Sequence, residues 1–306
     1  MKFHHVKYYE DLEDVVFLSD SVGFIGKSID QRGREAITIL QHTLNTTYEC
    51  SWDKTELLFC IDGLGEFRPG TDLTAELDKL NSSTITIEAT TLGFVEILYL
   101  VDSANQSSSV KEIQFLYVEP KKYNELRTVD NPLPHNFTLS KSLGRLIPLP
   151  GYTRNFSRRK LKTHLVVFLG FEPSRLGRVL EDDEGADISC YSLSIGLPAF
   201  VPGWEIHTLE TNSDYLNTQN RQDIYYFSAN SPYSAYRQII TVADSLDHDE
   251  RLVLAPFGTK PAGIGVIAYA VKNKRDCGVI YDHPVRQEDR SVGVGRSHLY
   301  SCFIEK

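Results

Sequence analysis

The sequence predicts an α/β fold of two Rossmann-like halves with mainly parallel sheets. Three observations carry that prediction. Apolar runs rich in β-branched and aromatic residues alternate with stretches of helical spacing, a pattern that means parallel strands joined by crossover helices. The alternation lapses across NPLPHNFTLSKSLGRLIPLPGYTRN, 131–155, which carries four of the 13 prolines, and then restarts. The halves also end alike. TIEATTLGFVEILYLV…IQFLYVEP pairs with VLAPFGTKPAGIGVIAYAV…GVIYDHP, each finishing in Tyr-x-x-Pro, at Tyr117–Pro120 and Tyr281–Pro284. Internal duplication of one unit explains that likeness, although unrelated α/β units also resemble one another. The expected organisation is therefore a first half over 1–130, a linker over 131–160 and a second half over 161–306.

In the first half, DVVFLSDS (14–21) reads as a buried strand ending in a polar loop. REAITILQHTLN (34–45) has the apolar spacing of an amphipathic helix. TELLFCIDGLGEF (55–67) reads as a strand stopping at Asp62-Gly63, and LTAELDKL (73–80) as a short helix. STITIEATT (83–91) is a strand, GFVEILYLVDSA (93–104) a helix and VKEIQFLYVEP (110–120) the closing strand. The second half repeats the order: HLVVFLGFEPS (164–174) as strand and loop, SRLGRVLEDDE (174–184) as helix, ISCYSLSIG (188–196) as strand. LPAFVPGWEIHTLETN (197–212) reads as a loop region, and PYSAYRQIITVADSL (232–246) as a helix with Pro232 in its first turn. RLVLAPF (251–257) is a strand, about Pro261 to Asn273 a helix, and GVIYDHP (278–284) a strand. The tail offers a final strand at Leu299–Ile304, antiparallel on an edge.

Composition limits what the chain does. With 306 residues, 41% hydrophobic and 24% charged, it can bury a core for two domains. A formal net charge of −9 argues against broad nonspecific nucleic-acid binding, which needs a clustered positive surface. The one basic run is RNFSRRKLK, Arg154 to Lys162. Five cysteines without CxxC spacing or histidines at zinc-finger intervals suit buried thiols in a reducing cytoplasm. No metal-ligand spacing and no cofactor motif is present. MKFHHVKYYEDLED lacks the apolar core of a signal peptide, and no apolar run reaches membrane-spanning length, so the expected location is the cytoplasm.

Ligands of open parallel sheets sit where strand carboxyl ends meet helix amino ends, because backbone N–H groups and the helix dipole converge there. Gly258-Thr259-Lys260-Pro261 is such a corner. Gly258 permits close backbone approach, Thr259 caps the helix or bonds an oxygen, Lys260 brings charge and Pro261 starts the helix without wasting a donor. A plain structural corner explains all but the lysine. Gly263 and Gly265 inside the helix cost roughly 1 kcal/mol each unless packing or a ligand needs the space. A second corner, GFEPSR, offers Gly170, Ser174 as a cap and Arg175 in the first turn. An arginine near a helix's positive end calls for a compensating carboxylate or phosphate, and Glu172 is the favoured partner over a ligand. Asp20, in Ser19-Asp20-Ser21, and Asp62 are carboxylates at expected strand ends that suit a metal, a ribose hydroxyl or a proton in flight; an Asp-Gly turn explains Asp62 more simply. Glu181-Asp182-Asp183-Glu184 and Asp247-His248-Asp249-Glu250 read as solvated loops. No Walker A loop, dinucleotide fingerprint, GxSxG or HExxH is present.

The strand-GTK-helix stretch, residues 254–265, resembles the corner of the CARF-type Rossmann-like domains that sense cyclic oligonucleotides in prokaryotic antiviral systems. That resemblance implies contact roles for Gly258, Thr259 and Lys260 near the oligonucleotide backbone. The chain departs from the pattern at Phe257, where a second glycine is common, and carries no recognisable effector nuclease, so an effector would be another polypeptide. Three functions follow as expectations: a module that binds an anionic, nucleotide-like ligand; a metal-dependent hydrolase or transferase on nucleotides or nucleic acid; and a protein-interaction subunit or homo-oligomer using the 154–162 run and the tyrosines near 225–236.

Overall fold

The computed structural model describes residues 1–18, 20–124, 137, 139–153, 161–181, 188–216 and 221–305. They fall into two compact units: unit 1, Met1–Asn124 with Glu288–Lys306, and unit 2, Glu125–Gln287. Unit 1 runs β1 (Lys2–Tyr9), β2 (Ser21–Ile25), α1 (Gln31–Thr43), β3 (Thr46–Asp53), β4 (Leu58–Ile61), β5 (Gly65–Phe67), α2 (Thr71–Lys79), β6 (Thr84–Glu88), α3 (Phe94–Gln106) and β7 (Glu112–Tyr123). Unit 2 runs β8 (Ser140–Ser142), β9 (Lys162–Phe168), α4 (Pro173–Glu181), β10 (Ile188–Gly196), α5 (Trp204–Thr211), α6 (Ser213–Leu216) and β11 (Arg221–Phe227). It continues through α7 (Pro232–Ala243), β12 (Glu250–Pro256), α8 (Lys260–Lys272), β13 (Cys277–Val279) and β14 (Val285–Arg286). The last strand, β15 (Ser291–Phe303), belongs to unit 1.

The unit 1 sheet has the order β1-β15-β7-β6-β2-β3-β4-β5, and the unit 2 sheet the order β11-β10-β9-β12-β13. Strands β3, β2, β6 and β7 pair in parallel, as do all five strands of the larger unit 2 sheet, while β8 and β14 form a separate antiparallel pair. The fold is thus α/β, two Rossmann-like halves with mainly parallel sheets. Both halves share one central arrangement. Numbered by their order in the chain, β3-β2-β6-β7 and β10-β9-β12-β13 both read 2-1-3-4 across the sheet. Alternation explains the layering of unit 2: Leu165, Val167, Tyr191, Leu193, Val253 and Ala255 point to one face and pack with Leu176 and Val179 of α4. Each leucine or valine among them, fully buried, contributes about 1.5–3 kcal/mol.

Several expectations need correction. Residues 14–18 do not join the sheet; Val15 and Phe17 pack into a core with Leu12 and Leu40 while Val16 and Leu18 are exposed, so the run alternates in burial without being a strand. The parallel strand after α1 is Thr46–Asp53. The 55–67 stretch instead folds into the antiparallel pair β4–β5, turned at Gly63 with φ +76°. The 197–212 stretch contains α5, and β11 adds a strand that the pattern did not signal. Of GVIYDHP, only the start belongs to β13.

The boundary at 161–306 also changes. β15 is antiparallel to both β1 and β7, so it is an interior strand of unit 1 and no edge. It covers the open side of the long strand β7, and Leu299 packs with Leu116 and Val118. Of the expected linker, residues 131–136, 138 and 154–160 lie outside the described residues. No helix among the described residues is long and apolar enough to cross a membrane.

Candidate functional site

In unit 2 the chain leaves β9 toward β10 and β11 on one side, then returns to place β12 on the other side of β9. β9 and β12 therefore flank the topological switch point, where open α/β sheets form their ligand crevice. Both expected corners, the one at Gly170 and the one at Gly258, lie at the carboxyl ends of these two strands. They are pressed together. A Cβ on Gly170 would overlap the carbonyl oxygen of Phe257, and one on Gly258 would come within 2.9 Å of the carbonyl oxygen of Leu169. Only glycine lets the two loops approach so closely.

Thr259 is the N-cap of α8: its Oγ1 accepts from the Ala262 N–H at 3.3 Å and donates to the Ala229 carbonyl at 2.7 Å. The hydroxyl is thus engaged in holding the loop after β11 against the start of α8. Lys260 is the first residue of the helix, half-buried, with no acidic residue in that turn. Gly265 serves packing, since a Cβ there would overlap the Pro232 carbonyl oxygen at the start of α7.

Arg175 is engaged by the fold at this corner, where its Nη1 donates to the Phe257 carbonyl at 3.4 Å. Its guanidinium is buried and forks onto Asp282, with Nε at 2.9 Å from Oδ2 and Nη2 at 2.5 Å from Oδ1. It lies over the rings of Phe257 at 4.6 Å and Tyr281 at 5.6 Å. Burial alone would lower its pKa, but the hydrogen bonds and charge of Asp282 raise it above the usual arginine value. A compensating carboxylate is present, as helix polarity required, yet it is not Glu172. Glu172 accepts from the Ser140 amide at 2.8 Å and hydroxyl at 3.0 Å. Ser174 is no cap either: α4 begins at Pro173, and Ser174 is exposed in its first turn. The Arg175–Asp282 pair spans 107 residues, so spacing could not reveal it.

Asp20 and Asp62 are both exposed. Asp20 precedes β2 and so lies at the amino end of that strand, opposite the expected side. Asp62 forms the β4–β5 turn, its N–H bonded to the Glu49 carbonyl at 2.9 Å. The structure does not bring them together. Ser19, the 154–160 run and residues 182–184 lie outside the described residues. Tyr226 on the edge strand β11 and Tyr233 on α7 are exposed. No protein-family model matches the chain, and a search of curated proteins finds no match either.

Proposed function

We propose that unit 2 is a binding module for an anionic, nucleotide-like ligand, seated at the crevice between β9 and β12 with Lys260 as its cationic contact. The observation that carries this reading is the meeting of the two glycine corners at the one switch point of an all-parallel sheet. There the amino end of α8 presents its dipole and a lysine, with no carboxylate in the same turn. Gly170, Gly258 and Thr259 set the shape of the crevice. Arg175 ties α4 to Asp282 and to the Phe257 carbonyl of the corner. The likeness of 254–265 to cyclic-oligonucleotide sensors selects the ligand class to try first, and a partner polypeptide would carry any effector activity.

The reading is tested by thermal unfolding with cyclic oligonucleotides, mononucleotides and dinucleotide cofactors. A ligand present at 100 times its Kd stabilises the folded state by about 2.7 kcal/mol. One of these anions is expected to raise Tm, and Lys260→Ala is expected to remove most of that rise. No shift with any of them, or a shift intact in Lys260→Ala, overturns the proposal.

A further inference from the structure

At the other end of the same sheet, His164, Cys190 and Glu250 stand on three adjacent strands. Cys190 is the register partner of His164, and Glu250 lies two residues before Leu252, the partner of His164 on the other side. The two-residue period of a strand therefore turns all three side chains to one face. One ring nitrogen of His164, the Cys190 sulfur and a Glu250 carboxylate oxygen all lie within 4.8 Å of one another. Sγ of Cys190 is already 3.7 Å from Oε1 of Glu250, close to the roughly 3.3–3.8 Å separating ligands of a tetrahedral zinc with bonds of about 2.0–2.3 Å.

A second observation points to a missing ligand. His164 is buried; Nε2 meets the Ser192 hydroxyl at 2.7 Å, and the buried Nδ1 has no hydrogen-bond partner. Further along the same face, level with Phe168, Ser194 accepts from Gln238 of α7 at 2.7 Å, and the Gln238 Oε1 is likewise buried and unpartnered. The sheet face beneath α7 is thus a polar seam within a core, and polar groups are buried this way where they serve one another or a ligand.

We propose that His164, Cys190 and Glu250 bind one zinc ion, with water at the fourth position beside half-buried Glu250. The donor set of one imidazole, one thiol and one carboxylate suits this borderline-soft cation. Burial and the Glu250 carboxylate raise the Cys190 thiol pKa, and burial lowers that of His164 despite Glu250 and Asp223. On binding, the thiol proton leaves to solvent, and thiolate plus carboxylate balance the two positive charges of the ion. The Ser192 hydroxyl orients the imidazole from outside the ligand set. Such an ion would tie β9, β10 and β12 together at their amino ends. The anion crevice lies at the opposite ends of β9 and β12, roughly 20 Å away along a seven-residue strand, so either proposal can fail without the other.

The test uses the full chain, freed of metal by a chelator and titrated with Zn2+ and with Co2+ as a spectroscopic substitute. The expected result is one equivalent bound and a near-ultraviolet thiolate-to-cobalt band. Cys190→Ser should abolish the band, while Cys277→Ser, at another buried thiol, should leave it unchanged. Ser192→Ala should weaken binding by about 10–100-fold. Glu250→Gln, at the partly exposed start of β12, should keep the band and loosen binding at least tenfold, and it carries the test should Cys190→Ser fail to fold. A wild-type chain without the band, a band undiminished in Cys190→Ser, or unchanged affinity in Glu250→Gln overturns the proposal.

Discussion

In unit 1 a glycine follows the first parallel strand and lies against the loop after β6, where a Cβ on Gly26 would come within 2.9 Å of the Thr91 backbone. In unit 2 Gly170 meets the loop after β12 in the same manner. The charges at the two corners differ. In unit 1 the buried carboxylate of Glu88 accepts from the Thr90 and Thr91 amides, each at 2.8 Å, and from the Thr91 hydroxyl, while Glu96 stands in the first turn of α3. In unit 2 the end of β12 is Leu252–Pro256, without a carboxylate, and the first turn of α8 carries Lys260. One corner satisfies its loop amides with the protein's own anion, and the other has a lysine in the first turn of its helix. On the function proposed above, the same backbone device is a filled joint in unit 1 and a binding site in unit 2.

A second likeness makes the comparison testable. Arg32 in α1 is buried against Asp30 at 3.0 Å and lies 5.9 Å over the Tyr117 ring, as Arg175 lies over Tyr281. These are the two tyrosines of the Tyr-x-x-Pro echo. The largest expected effect is removal of one partner: Asp30→Asn and Asp282→Asn should each destabilise their unit by about 3–5 kcal/mol, because a guanidinium is left buried without its counter-charge. The two tryptophans, Trp52 in unit 1 and Trp204 in unit 2, let single-tryptophan variants report denaturant unfolding of each unit separately.

Unequal costs would show that the shared arginine has different weight in the halves. Burial would raise the Asp30 pKa, but Arg32, the Ser291 hydroxyl and the Gly33 amide hold it below the ordinary aspartate value. Its contribution is therefore complete above about pH 4 and is lost as pH falls through that value toward the depressed pKa. Asp30→Asn should flatten the acid limb of the unit 1 stability profile.

The glycine contacts give an intermediate effect. Gly170→Ala should destabilise unit 2 by about 2–3 kcal/mol and Gly26→Ala unit 1 by about 1–2 kcal/mol, within the range for overpacking, because the Phe257 oxygen lies nearer the added methyl than the Thr91 backbone does. Equal or negligible costs in denaturant unfolding would mean the loops part easily, and the close approach would no longer define the crevice.

Much of this architecture was legible. The runs around β6, β7, β9, β10 and β12 and the helices α3, α7 and α8 announce themselves by period and by caps such as Thr259 and Pro232. β1, β3 and β11 escaped because half-polar strands such as TTYECSWD bury only part of their surface and lack an apolar run. The tail was misplaced because strand pairing between β15 and β7 is non-local. At the site, glycine and lysine at a strand end were readable from local backbone chemistry. The partner of Arg175 and the His164-Cys190-Glu250 cluster were not, since helix packing and parallel strand pairing bring together residues 26 to 107 positions apart.

The smallest expected effect is one of sign. Without ligand, Glu96→Gln should destabilise unit 1 by about 0.3–1 kcal/mol, because an anion is lost from the positive end of α3. Lys260→Ala should leave unit 2 unchanged or more stable by up to about 0.5 kcal/mol, because a cation at the positive end of α8 works against the dipole. Both are read by denaturant midpoints at low salt, where such terms are least screened. A clear loss of stability in Lys260→Ala would make the lysine part of the scaffold, and the two corners would then differ in charge without differing in purpose. A gain would mean that the chain keeps a charge where folding alone disfavours it, which is what a contact reserved for an incoming anion requires.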